Sequence, residues 1–277
     1  MIYQAIAAGS EIENIVSKKE EGKFHVHHRF TNGFTLMNNN QIIYIGNDKK
    51  GVLPFGIHLD NLDYQTISKQ KTPVCQFKQY EGLNYLVDRT FEVEIPTNIF
   101  YKETLGLSSI NPSDLRQKVY QIETYNLVDD NQFEGERKGT VPAFQKLLSD
   151  EPINQAKGIL YYLGRGNGDI PSGDCFLIGL IAMDRFFQFL PKNFYLLLES
   201  FLIDKKWTTI LGNTYLSNAC KRNFGSSINS AVKGVICNSD NWGINVLVLN
   251  NLGHSISSAI LSGMIAGINI YLNSIDN

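Results

Sequence analysis

From Lys23 to about Phe100 the apolar positions alternate with polar ones or gather in short β-branched runs. Lys23–Phe30, Gly33–Met37, Gln41–Gly46, Asn84–Val87 and Thr90–Ile95 carry this pattern. Asn38-Asn39-Asn40, Asn47-Asp48, Pro54 and Pro96 punctuate it. A period near two between turn formers predicts short strands joined by hairpins, Leu36–Tyr44 among them. After about Ile110 the period lengthens to that of a helix. Asn111-Pro112-Ser113-Asp114 puts a cap, a proline and an acid where a helix begins, and Leu115–Tyr125 continues it. Further helices are predicted over Pro142–Leu148, Pro152–Leu163, Ser172–Phe189, Asn193–Ile203, Tyr215–Phe224, Ile228–Val235, Trp242–Asn250 and Ser255–Leu272. Asp129–Thr140, polar and glycine-containing, reads as a linker. The expectation is an α+β protein, with a strand-rich N-terminal domain over residues 1–128 and a mainly helical domain over 129–277.

Composition narrows the partners. The chain has 277 residues, of which 43 % are apolar and 19 % charged, enough for a sizeable core. Lys and Arg number 25 against 27 Asp and Glu, a net charge of -2. No basic excess advertises a nucleic-acid or anionic-membrane surface. The N-terminal stretch lacks the basic start of a secretory signal. Ile260–Leu272 is interrupted by Ser262, Gly263, Gly267 and Asn269, short of the ~18–20 apolar residues of a membrane span. Its Gly263 and Gly267 read as a close helix–helix contact. Cys75, Cys175, Cys220 and Cys237 form no CxxC, and no His sits at zinc-finger spacing from them. They read as reduced thiols of a cytoplasmic protein, with no metal and no cofactor implied. His25 and His27 lie two apart, on one side of a strand, and read as a solvated face. Phe186-Phe187-Gln188-Phe189 and Phe194-Tyr195 are expected in the core or at a subunit interface.

The most informative segment is Gly164-Arg165-Gly166-Asn167-Gly168-Asp169-Ile170-Pro171-Ser172-Gly173-Asp174. Alternating glycines permit backbone conformations in which successive N–H groups turn inward as an anion-binding nest. Pro171 suits the first turn of the helix that follows, whose N-terminal N–H groups and dipole face the same place. Arg165 can add a bidentate contact to a phosphate or carboxylate. It is neither a Walker loop nor a dinucleotide fingerprint. The competing reading is an ordinary glycine-rich loop capped by Ser172 or Asp174. A second helix start, Gly253-His254-Ser255-Ile256-Ser257-Ser258, carries a histidine suited either to acid–base work or to capping.

These residues resemble a family. GRGNGDIPSGDCFLIGLIAMDRFF is similar to a pattern G-x-G-x-G-L-T-P-S-G-D-D-x-L-x-G, found in a bacterial family that includes one subunit of oxamate carbamoyltransferase. His27-His28-Arg29-Phe30-Thr31-Asn32 resembles the family's early H-S-x-F-x-x-x-x-N region. Thr214-Tyr215-Leu216-Ser217 and Leu252-Gly253-His254-Ser255-Ile256-Ser257 resemble its T-x-x-S and G-H-T-S-G elements. The order holds from about residue 25 to 270. The chain departs from the pattern at Asp169-Ile170, at Cys175 in place of a second acid, and at Ile256-Ser257.

The resemblance implies transfer of a carbamoyl group between a ureido compound and phosphate in purine (allantoin) catabolism, in company with other enzyme subunits. On this reading Gly164, Arg165, Gly166, Gly168, Ser172, Gly173, Ser217 and Ser255 hold a small anion of phosphate or carbamoyl phosphate type. His28 and Arg29 are further candidates for substrate contact. His254 shuttles a proton to the departing nitrogen, and Asp174 orients that histidine or a substrate amine. Two other classes stay open. One is a phosphotransferase binding a nucleotide or phosphometabolite; the other is a non-catalytic partner subunit, with Cys175 in place of an acid as its distinguishing feature.

Overall fold

The structure is a computed structural model that describes residues 1–18, 22–39, 41–70, 74–102, 110–125, 127–128, 137–237 and 241–276, without the side chains of 137–140. Most of the expected linker, 129–136, lies outside the described residues; 137–140 begin a helix. The chain divides into two compact units: Met1–Leu105 with Phe224–Asn229, and Gly106–Asn223 with Ser230–Asn277.

The first unit is built from β1 (Ile2–Gln4), β2 (Ala7–Ala8), α1 (Ser10–Ser17), β3 (Lys23–Phe30), β4 (Gly33–Asn38), β5 (Gln41–Asn47), β6 (Gly56–Leu59), α2 (Asn61–Ser68), β7 (Val74–Tyr80), β8 (Leu83–Val87) and β9 (Glu92–Ile95). The strand order is β1-β9-β8-β7-β3-β4-β5-β6-β2. The two edges are two halves of one extended segment. Ala5 N–H donates to Glu94 O (2.9 Å) and Ile6 N–H to His58 O (2.8 Å), so Ile2–Ala8 joins β9 on one side and β6 on the other. The sheet thereby closes on itself, which leaves no open edge. Inward positions fill it: Phe24, Phe34, Leu36, Ile43, Ile45, Ile57, Leu86 and Val93 are buried together, with Ile12 and Ile15 of α1.

The hairpins expected between residues 23 and 46 are present. α1 and α2 are too short to show a helical period, β6 is buried at every position and so shows no alternation, and β7 was also not among the expected strands. β3 carries a register shift between Val26 and His28, and His25 and His27 are both exposed, as expected of a solvated face.

His58 is fully buried in β6. Its Nε2 accepts from Leu53 N–H (3.0 Å), and Nδ1 lies 3.2 Å from the Asn47 carbonyl. That arrangement holds a neutral ring, and burial pushes its pKa below 6.5. The unfolded chain then takes up the proton first, so this unit is expected to lose stability as pH falls below 6.5. His58→Ala should cost ~2–4 kcal/mol at pH 7.5 and abolish that acid slope. Denaturant titrations from about pH 5 to about pH 8 read both.

The second unit contains α3 (Pro112–Thr124), α4 (Arg137–Leu147), α5 (Pro152–Tyr162), α6 (Ser172–Phe187), α7 (Phe194–Asp204), α8 (Ile210–Cys220), most of α9 (Ser226–Ile236), α10 (Trp242–Leu247) and α11 (His254–Asp276). α6 is buried along most of its length. It packs on α11 through small residues: a Cβ on Gly179 would fall on the Ile260 carbonyl oxygen, and one on Gly263 on that of Phe176. A Cβ on Gly267 would meet Met183 Cβ at 2.8 Å. Phe187 stacks on Tyr271 with ring centroids 4.2 Å apart. These contacts advance together along both helices, so α6 and α11 run parallel. The close helix contact expected of Gly263 and Gly267 is therefore present. Among the described residues α11 is the one helix long and apolar enough to cross a membrane, and most of its apolar stretch is buried in the protein.

Candidate functional site

Because α6 and α11 are parallel and adjacent, their N-termini lie at the same end of the pair. Aligned dipoles repel mildly along their lengths, a cost of some tenths of a kcal/mol that glycine-mediated packing offsets. The reward is a region of positive potential at their common start. The glycine-rich turn leads directly into it. Gly164, Gly166 and Gly168 all take positive φ, at 71°, 105° and 94°, where side chains are strained. Gly166, Asn167, Gly168 and Asp169 are exposed.

Asp174 holds this turn in place. The side chain is fully buried in the first turn of α6. One carboxylate oxygen accepts from Gly164 N–H (2.8 Å), and the other from the Thr208 hydroxyl. Gly212 leaves room for it, since a Cβ there would fall on Asp174 Oδ2. Burial pushes the Asp174 carboxyl up to about 6, against the two hydrogen bonds that lower it. Among the described residues no hydrogen bond joins Asp174 to His254.

Further bonds tie the turn to its neighbours. Gly173 N–H donates to Arg165 O (2.8 Å), and Arg165 N–H to Tyr162 O (3.0 Å). The Arg165 side chain folds back over the end of α5: Nε donates to Tyr161 O (2.7 Å), and the guanidinium sits 3.9 Å from the Tyr161 ring centroid. Thr209 caps α8, accepting from Gly212 N–H (2.9 Å) while donating to Asp169 O. The start of α8 thus adjoins the start of α6. Pro171 precedes α6 with no side-chain cap, so neither Ser172 nor Asp174 caps it in the ordinary way.

The remaining candidates divide by unit. His254 opens α11 and is exposed, as is Ser255 beside it. The His254 carbonyl accepts from the Ser257 hydroxyl (2.9 Å), which fixes the first turn. Ser217 lies further along α8 and donates to Asn213 Oδ1 (3.3 Å). Cys175 is fully buried, and burial pushes its thiol far above the usual range, fitting a small core residue. His28 and Arg29 belong to β3 of the first unit. Arg29 donates to the Ser68 and Gln70 carbonyls at the end of α2 (3.3 and 3.4 Å), a cation stabilising a helix C-terminus. Among the described residues no group of three potential metal ligands gathers.

Sequence reading missed Thr208, Thr209 and Gly212. The signal was present: a Thr immediately before an apolar run is a helix cap, and it moves α8 one turn ahead of the expected Tyr215–Phe224.

The fold and site define an α+β protein whose helical unit holds a glycine-rich turn at the start of α6, beside the start of α8. Residues 162–268 match the family model described as oxamate carbamoyltransferase subunit AllH. The match takes in the glycine-rich turn, Ser217, His254 and Ser255, while His27–Asn32 lies outside it. Comparison with curated proteins and with solved structures gives no match.

Proposed function

We propose that this chain is a subunit of an enzyme of oxamate carbamoyltransferase type, binding a small anion of phosphate or carbamoyl phosphate class at the shared start of α6 and α11. The carrying observation is the parallel packing of these helices, with both starts at one end, beside three positive-φ glycines of which Gly166 and Gly168 are exposed. The match over residues 162–268 supplies the reaction class. Partner subunits follow from the same class.

In such a transfer a phosphate oxygen attacks the ureido carbonyl carbon, and the C–N bond to the departing amide breaks. The electron pair leaves with nitrogen, which takes a proton. Exposed N–H groups of the turn and Ser172 would stabilise negative charge on phosphate and carbonyl oxygen. His254 is the candidate proton donor, being exposed at the start of α11. Asp174 is a positioning residue on this reading: fully enclosed, it acts through Gly164 and Thr208. The same enclosure favours the second reading, a non-catalytic partner subunit that keeps the turn for structure alone.

A thermal-shift series with phosphate, carbamoyl phosphate, oxamate and ATP separates these readings. At about a hundred times Kd, phosphate or carbamoyl phosphate should stabilise by ~2.7 kcal/mol, a rise of several degrees in Tm. Gly168→Ala, strained at its positive φ but free of clash, should reduce that response; Gly243→Ala should not. His254→Ala should keep the response and lose turnover of the assembled enzyme by ~10²-fold or more. A response to ATP alone would favour a phosphotransferase, and none to any ligand the non-catalytic subunit.

A further inference from the structure

The outer face of the first unit's sheet carries a charge pattern that nothing in the site uses. Alternation places Lys23, Gln76, Val87, Glu92 and Ile2 in one row across β3, β7, β8, β9 and β1. The next row on that face is Lys78, Tyr85, Glu94 and Gln4. Their sequence neighbours Phe24, Cys75, Leu86 and Val93 point inward to the core. The face is thus basic along β3 and β7 and acidic along β9, with Tyr85 and Val87 of β8 between. Among the described residues neither Lys23 nor Lys78, and neither Glu92 nor Glu94, belongs to an ion pair. Strands lie ~4.8 Å apart, so Lys78 and Glu94 stand on opposite sides of Tyr85, and no ion pair joins them within the chain. Apolar side chains stand exposed on the same face: Ile2 is 67 % exposed, Tyr80 45 % and Leu83 40 %.

We propose that this face docks a second copy of the chain about a two-fold axis running along β8. Rotation about that axis carries β7 over β9 and leaves each row at its own height. Lys78 of each copy then faces Glu94 of the other, and Tyr85 meets its counterpart at the axis. A face that is basic on one side of a line and acidic on the other is self-complementary under this operation and under no simple translation. Opposed sheets pack ~10 Å apart, a gap that the aromatic and aliphatic side chains of β8 fill. Exposed Lys–Glu pairs carry the recognition, so the dimer is concentration-dependent and weakened by salt.

Sedimentation of the whole chain across about 1–200 µM at low ionic strength tests this. A monomer–dimer equilibrium is expected, shifted toward monomer at ~1 M salt. Lys78→Glu and Glu94→Lys should each raise the dimer Kd by ~10-fold or more, because two attractive pairs become repulsive. The double variant Lys78→Glu/Glu94→Lys should return to near the native Kd. All three changes are on the solvent face, and an unchanged Tm shows that each variant is folded. A monomer at every concentration overturns the proposal. So does a dimer indifferent to the single changes, or one that the double variant fails to restore; either result gives the face to another occupant or to solvent.

Discussion

Gly263→Val is expected to unfold or grossly destabilise the helical unit, by more than ~3 kcal/mol. The Cβ of any residue at 263 would fall on the Phe176 carbonyl oxygen, and it would also press on Leu180 N–H at 2.9 Å. Those are backbone atoms of α6, which cannot swing aside as a side chain can. Relief requires the two helices to separate, and separation exposes the buried faces of α6 and α11 together. Gly179→Val should cost a similar amount, since its Cβ meets Ile260 O and the Met264 backbone N–H at 3.0 Å. Gly243→Ala is the control: it lies in α10 with nothing within 4 Å of the new Cβ, and should gain ~0.5–1 kcal/mol from helix propensity. Guanidinium titrations of the three variants test the ranking. A Gly263→Val protein within ~1 kcal/mol of the native one would mean the helices are not in this contact.

The second large effect lies at Asp174. Its folded pKa, about 6, stands above the ordinary 3.8, so between those values the folded chain holds a proton that the unfolded chain has lost. Stability therefore declines as pH rises from 3.8 to about 6 and stays reduced above it, by ~3 kcal/mol at most. Asp174→Asn keeps an acceptor for Gly164 N–H and removes the charge. It should match the native protein at about pH 4 and become the more stable of the two at about pH 8. Asp174→Ala leaves Gly164 N–H and the Thr208 hydroxyl without their acceptor, and should destabilise at every pH by ~1–3 kcal/mol for each group stranded. Paired denaturant titrations across this pH range read both signs. The anion response should follow the turn's geometry: retained in Asp174→Asn and lost in Asp174→Ala.

Much of this architecture was legible in the chain. β3, β4, β5, β8 and β9 announced themselves by alternation, and α3, α5 and α6 by a proline at or just before the first turn with an apolar stripe behind it. Closure of the sheet was not legible, because it depends on Ile2–Ala8 pairing with β9 and β6, partners distant in sequence. The two-fold use of one short segment leaves no periodic trace. At the site, positive-φ glycines were foreseeable from Gly164, Gly166 and Gly168. The destination of Asp174 was not. Its partners come from the turn ten residues back and from Thr208 beyond α7, and only the folded chain brings them together. Nor were the carbonyl contacts of Arg165 and Arg29, both read as anion ligands, each of which donates at a helix C-terminus.

The central claim is that one anion engages both helix starts. Amide NMR during titration with phosphate, and then with carbamoyl phosphate, tests it most directly. The account predicts that the N–H resonances of Gly166, Gly168, Ser172 and Ser255 shift together, saturably, with a single Kd. Movement of the turn without Ser255, or no saturable shift at either helix start, would contradict it.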